Sequence, residues 1–310
     1  MDQSQKCCIC HEPISPPYHY YGGRVYCAKH LANITTPRMS MWRASVVQIV
    51  AMTVFSIIIA IIGDQMHDLD QTTLIVVGLF LAIVPTALWM LYFYRQDHLE
   101  PEPKTKIAGV FLLALVLTDF VGLRLIDSVF HVREWSGVNW YTSLLSSILI
   151  LGFTFETIKY YTVRWVVYAT DEFDERMDGI VYGTIAGLGV ATLLNLHHII
   201  DNQGVQLAPG VIHVVTTALA QASFGGINGY FMAQAKFEHK PVWWIPFGVS
   251  VSAISNGLFT WLISEVSANG LTVEPWRSLA MAVGVALVAF FLLVALMRRA
   301  NALTLKASES

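Results

Sequence analysis

Long apolar runs alternate with short polar breaks along most of this chain. A polar stretch over residues 1–43 comes first. Eight apolar runs follow, near 44–62, 73–94, 106–125, 143–165, 179–200, 210–233, 244–263 and 278–297. Each approaches the ~20 residues that a helix needs to cross bilayer hydrocarbon. In lipid every backbone polar group must find its partner internally, so runs of this length predict helices. The pattern predicts an all-α polytopic membrane protein with about eight transmembrane helices. Gly183, Gly187 and Gly189 in the fifth run, and Gly225, Gly226 and Gly229 in the sixth, predict close helix–helix approach. The division expected is a small module over 1–36, a membrane domain over 37–299 and a flexible tail over 300–310.

Charge orients the chain. With the N-terminus inside, the inner segments hold fifteen Lys and Arg, and the outer ones hold three, Arg124, Arg133 and Arg277. The positive-inside rule then places both termini in the cytosol, and an even helix number agrees. Composition supports the membrane reading: 55% of residues are hydrophobic and 13% charged, with a mean hydropathy of +0.54, where a soluble domain carries about 25% charged residues. A net charge of −3 argues against nucleic-acid binding. The partners expected are membrane lipid and other membrane-protein subunits.

All four cysteines fall before residue 28, inside the polar stretch, which does not read as a secretory signal. Cys7 and Cys10 form a C-x2-C knuckle. Cys27 and His30 form a C-x2-H pair sixteen residues further on. Four such ligands in two close pairs suit tetrahedral zinc. Gly22-Gly23 between Tyr20-Tyr21 and Val25-Tyr26 predicts a hairpin turn. A fragment this small folds on its metal, and it resembles half of a LIM-type or treble-clef finger. A site using Cys8 in place of Cys7 is the alternative.

Inside the apolar runs, charge is rare. The fourth run continues through Phe153-Thr154-Phe155-Glu156-Thr157-Ile158-Lys159, where an acid and an amine three residues apart share one helix face. Ionised groups at such depth are costly and face partners or water. Asp119 falls near the middle of the third run, where Lys159 is the candidate partner; the alternative is a shifted helix with Asp119 near the outer surface beside Arg124 and Asp127. His197 and His198 end the fifth run and His213 begins the sixth. Their ends are expected to meet through residues 201–210, with Glu156 approaching if the fourth helix extends inward.

Several stretches resemble the PrsW family of intramembrane proteases, relatives of the CAAX-prenyl proteases and of the Aph subunit of gamma-secretase. Asp97-His98-Leu99-Glu100-Pro101-Glu102-Pro103 is similar to the family's D-x-x-E-P-E-P loop. Asp178-Gly179-Ile180-Val181-Tyr182-Gly183, followed by Gly187 and Gly189, is similar to its D-G-I-V-Y-G helix start. The resemblance carries catalytic positions onto Glu156, Lys159, His213 and Asn256. It also shows departures: Phe155 stands for the first Glu of E-E-x-x-K, Leu194 for a Glu, and Ser252 for a His. Such side chains neither ligate zinc nor accept a proton, and what remains falls short of the three ligands of a catalytic zinc.

The expectation from these departures is a catalytically inactive member, not an enzyme, that acts as a scaffold or accessory subunit of a membrane assembly. It would sit in a prokaryotic cytoplasmic membrane, with structural zinc at Cys7, Cys10, Cys27 and His30. The alternative is an active intramembrane metalloprotease that cleaves membrane-protein segments. A third reading is a haem- or chlorophyll-binding subunit using His197, His198 or His213.

Overall fold

The structure, a computed structural model, describes residues 5–36, 39–64, 70–97, 99–201, 207–268 and 275–307. Arg38, the connection over 202–206 and the last three residues of the expected tail lie outside the described residues. Among the described residues, eight helices are long and apolar enough to cross a membrane. They are α2 (Met41–Asp64), α3 (Gln71–Gln96), α4 (Lys104–Val129), α5 (Trp140–Val166), α6 (Arg176–Asp201), α7 (Leu207–Phe237), α8 (Trp244–Ala268) and α9 (Pro275–Ala307). The N-terminal module precedes them: β1 (His19–Tyr21), β2 (Arg24–Tyr26) and α1 (Ala28–Thr35).

The core forms around α6 and α7. In their apolar stretches 89% and 83% of residues are buried, against 11% for α2. Small residues make this possible. A Cβ on Gly225 would lie 2.2 Å from the carbonyl oxygen of Gly183, and one on Gly183 would meet that of Gly225 at the same distance. Only two bare backbones can approach so closely. α2 instead turns Val46, Val50, Val54, Ile57 and Ile61 outward, as befits a helix solvated by lipid.

Two helices widen into π turns. α4 does so over Thr118–Leu123 and Leu125–Val129, and α5 over Ser147–Gly152. Such turns gather where a helix is bent to serve a site. In α5 the wide turn lies against α8, where a Cβ on Gly152 would meet the Ala253 carbonyl oxygen at 2.2 Å. It ends at Gly152, about one turn before Glu156.

The N-terminal module is a two-residue hairpin with His19 opposite Tyr26. Gly22 and Gly23 both have positive φ, 57° and 79°, which such turns require and which glycine supplies at no steric cost. Tyr26, Ile34 and Leu99 form a small apolar cluster with Leu305 against it, and the Tyr26 hydroxyl donates to the Leu99 carbonyl at 3.0 Å. This docking explains why α9 runs on to Ala307 through residues expected to be a loose tail.

Candidate functional site

Polar side chains meet in the middle of the helix bundle. The Lys159 Nζ donates to Glu156 Oε1 at 2.5 Å, so the two groups of the i, i+3 pair do face each other. Neither is more than 1% exposed. The rest of the network comes from α7 and α8. Asn256 Nδ2 donates to Glu156 Oε1 at 2.8 Å, and Asn228 Nδ2 donates to the Glu156 carbonyl at 3.0 Å and to Oε2 at 3.4 Å. Asn256 and Gln221 exchange amide hydrogen bonds at 2.8 and 3.2 Å. Lys159 also donates to the Gln221 carbonyl at 3.1 Å. A buried carboxylate with a cation and several amide donors is compensated as low-dielectric surroundings demand.

Beside the network lies a cavity of about 270 Å³ lined by Phe155, Leu194, His213, Thr217, Gln221, Phe259 and Thr260, with Asp127 and Arg133 at its outer end. The positions that the resemblance brings to one site, 155, 194 and 213, thus converge. Two of them present hydrocarbon. His213 is eight residues from Gln221 on one helix, about 12 Å along the axis, and its ring stacks on His198 at 3.9 Å. Glu156 does not approach these histidines: its bonded side-chain partners are Lys159, Asn228 and Asn256. Asp119 does not meet Lys159 either. It lies 3.4 Å from His197 Nε2, and both groups are about two-fifths exposed. Ser252 is buried with its hydroxyl unpartnered among the described residues.

The sequence reading missed Gln221 and Asn228. Their spacing of seven is the available signal, since it puts two amides on one face of a membrane helix. It also missed a second polar centre, on the side where the N-terminal module docks. Asp97, Glu102, Glu175 and Asp178 are all buried there. Asp178 Oδ2 accepts the backbone N–H groups of Asp174 and Glu175 at 2.7 and 2.6 Å, and Tyr182 donates to Glu102. Burial pushes the Glu175 carboxyl up to about 7 and that of Glu102 up to about 11. Asp97 is driven well up by burial and then by the charges of Glu175 and Asp178. Burial works against the Arg24 charge, but Glu175 and Asp174 outweigh it and hold the guanidinium protonated.

Two groups of described residues are compact enough to hold a metal ion, and neither includes Glu156 or His213. One is Cys7, Cys10, Cys27 and His30, whose ligand atoms lie within 4.8 Å of one another. His30 Nδ1 is 3.3 Å from Cys7 Sγ and 3.2 Å from Cys27 Sγ. Burial disfavours the Cys7 thiolate, yet backbone hydrogen bonds from Cys10, Cys27 and Ile9 outweigh it and bring its pKa to about 6. Cys8 is the opposite case: burial pushes it up to about 11, and it packs against the Tyr26 cluster. The second group is Asp97, Glu175 and Asp178.

A family model described as PrsW family intramembrane metalloprotease matches residues 102–297. Protease PrsW of Bacillus subtilis is 30% identical over 191 residues, covering 60% of this chain and 82% of that relative. Protease PrsW of Geobacillus kaustophilus is 29% identical over 184 residues, 58% of this chain and 77% of the relative. Protease PrsW of Clostridioides difficile is 24% identical over 188 residues, 59% and 77% respectively. No solved structure matches the chain. These findings overturn the expectation of an inactive scaffold that is not an enzyme. The relatives are named proteases, and despite the departures at Phe155, Leu194 and Ser252, Glu156 keeps a buried set of hydrogen-bond donors. With the match spanning 102–297 and both helix-start motifs inside the fold, the chain belongs to the PrsW family of intramembrane metalloproteases.

Proposed function

We propose that the chain is an active intramembrane protease that hydrolyses peptide bonds in the spanning segments of membrane proteins. The observation that carries this reading is the Glu156 pair with Lys159, buried and hydrogen-bonded, with Gln221 of the same network lining a cavity. Hydrolysis needs a base for water and donors for the developing oxyanion. Glu156 is the carboxylate of the network and is assigned the first task. The Asn256 amide and the Lys159 ammonium, both already turned toward it, are assigned the second. Gln221 stands between network and cavity and positions what enters, and His213 gives the cavity an imidazole.

The residues around Glu156 do not fit a three-ligand catalytic metal. Phe155 and Leu194 fill two positions of the cavity with hydrocarbon, and His213 is about two helical turns from Gln221. The hydrolytic step is therefore assigned to this chain's own side chains. The N-terminal group does fit a metal, and structural zinc at Cys7, Cys10, Cys27 and His30 is part of the proposal. Zinc prefers such thiolate–imidazole sets and supplies the folding energy that a fragment of this size lacks.

An orientation with both termini in the cytosol accompanies this reading, in the cytoplasmic membrane of a prokaryote. Arg24 pairs with Glu100 and Asp174, and Leu305 packs beside Leu99. The module, two connecting segments and the end of α9 thus share one side, the side richer in Lys and Arg. The test is cleavage of single-span membrane proteins in vesicles carrying the purified chain. Wild type should cut them and Glu156→Gln should not; equal cleavage by both variants would refute the assignment.

A further inference from the structure

Two buried carboxylates on the module side of the bundle have oxygens with nothing to bind. Glu175 is 3% exposed, and neither of its carboxylate oxygens has a hydrogen-bond partner among the described residues. Asp97 is 4% exposed, and its Oδ2 is unpartnered in the same sense. Carboxylates buried like this are ordinarily paired or metal-bound. These two converge with Asp178, each residue offering a ligand atom within 4.8 Å of the others. We propose that Asp97, Glu175 and Asp178 form a binding site for one hard divalent cation of the Mg²⁺, Mn²⁺ or Ca²⁺ class.

Three further observations support the site. Its donors are all carboxylate oxygens, which select hard cations over the softer ions that thiolates favour. Its geometry is fixed: Asp178 accepts the N–H groups of Asp174 and Glu175, which locks the turn before α6 and sets Glu175 beside Asp178. An acidic cavity of about 230 Å³ lies close by, lined by Glu100, Glu102, Asp171, Glu172 and Asp174 rather than by the three ligands themselves, and a concave acidic surface concentrates cations.

Charge points the same way. Three buried carboxylates, Asp97, Glu175 and Asp178, lie near the Arg24 guanidinium, the one cation that acts on them among the described residues. Arg24 is itself engaged by Asp174 at 2.6 Å and by Glu100. A divalent ion would balance the excess. It would also tie the end of α3 to the start of α6, where the two stretches 97–103 and 178–189 meet. This site is separate from the Glu156 network and does not depend on proteolysis.

The test uses the full chain in detergent with its zinc retained, titrated with Mn²⁺ and followed by electron paramagnetic resonance. The expected result is one bound Mn²⁺, displaced by Mg²⁺ or Ca²⁺. Glu175→Gln and Asp97→Asn should each weaken it at least about thirtyfold, since losing even a supporting partner of a metal costs ~10–100-fold. Arg24→Gln should tighten binding about tenfold by removing a competing positive charge. Wild type that binds no Mn²⁺, Mg²⁺ or Ca²⁺ overturns the proposal without any variant. So does Mn²⁺ affinity that is unchanged in Glu175→Gln or not raised in Arg24→Gln.

Discussion

Removing Lys159 distinguishes an ion pair from an ordinary hydrogen bond at the centre of this protein. In Lys159→Met the side chain keeps its length and loses its charge. Glu156 keeps the amides of Asn256 and Asn228 but loses the group 2.5 Å from Oε1, and the Gln221 carbonyl loses its donor at 3.1 Å. If Glu156 is ionised, the variant leaves an uncompensated charge in a fully buried position, a loss of about 3–5 kcal/mol. If the contact is between neutral groups, its loss should be of the order found for side-chain hydrogen bonds in membrane proteins, which average ~0.6 kcal/mol. The two outcomes differ by enough to resolve. Unfolding of the purified chain in mixed micelles of mild detergent and dodecyl sulfate, read by tryptophan fluorescence, gives the free energy. The double variant Glu156→Gln/Lys159→Met should lose less than the sum of the two singles, because it buries no charge. A single-variant loss below about 1 kcal/mol, with additive singles, would refute the ion pair.

Other expectations follow from the same contacts. Gly225→Val should separate α6 from α7, because its Cβ would lie 2.2 Å from the Gly183 carbonyl oxygen; we expect a loss of more than about 3 kcal/mol in the same assay. Cys27→Ser should lower zinc, measured by elemental analysis of the purified chain, from about one equivalent to near zero, because it removes one of four ligands. The same variant should expose the 19–30 segment to protease while leaving the helical circular dichroism of the membrane domain unchanged.

The eight spans were legible because lipid leaves the backbone so few choices: each apolar run became a helix, and all but the last kept close to their expected limits. The largest shift is in α9, which runs past its expected end to Ala307, and α4 extends to Val129 through two π turns that no hydropathy pattern encodes. The hairpin was legible because Gly22-Gly23 admits few turns. Rotation about the helix axes was not legible. Asp119 sits at a depth where Lys159 is a reasonable partner, but it points toward His197 instead. Glu156 and Lys159 could be paired from their spacing alone, whereas Gln221, Asn228 and Asn256 come from helices 60 to 100 residues away. Glu175 was invisible for a different reason. A carboxylate in a short polar connection reads as solvated, yet in the fold Glu175 is buried near Arg24 of the N-terminal module.

Reading Phe155, Leu194 and Ser252 as the loss of a catalytic site treated each position as a separate requirement. The structure places the first two on a cavity wall and Glu156 behind it, within an intact set of donors. The measurement that bears most directly on this account is the mapping of cleavage sites, by mass spectrometry, in single-span proteins exposed to wild type and to Glu156→Gln in matched vesicles. The account predicts cuts within the spanning segment for wild type and none for Glu156→Gln. Identical cuts from both proteins, or none from either over the full panel, would contradict it.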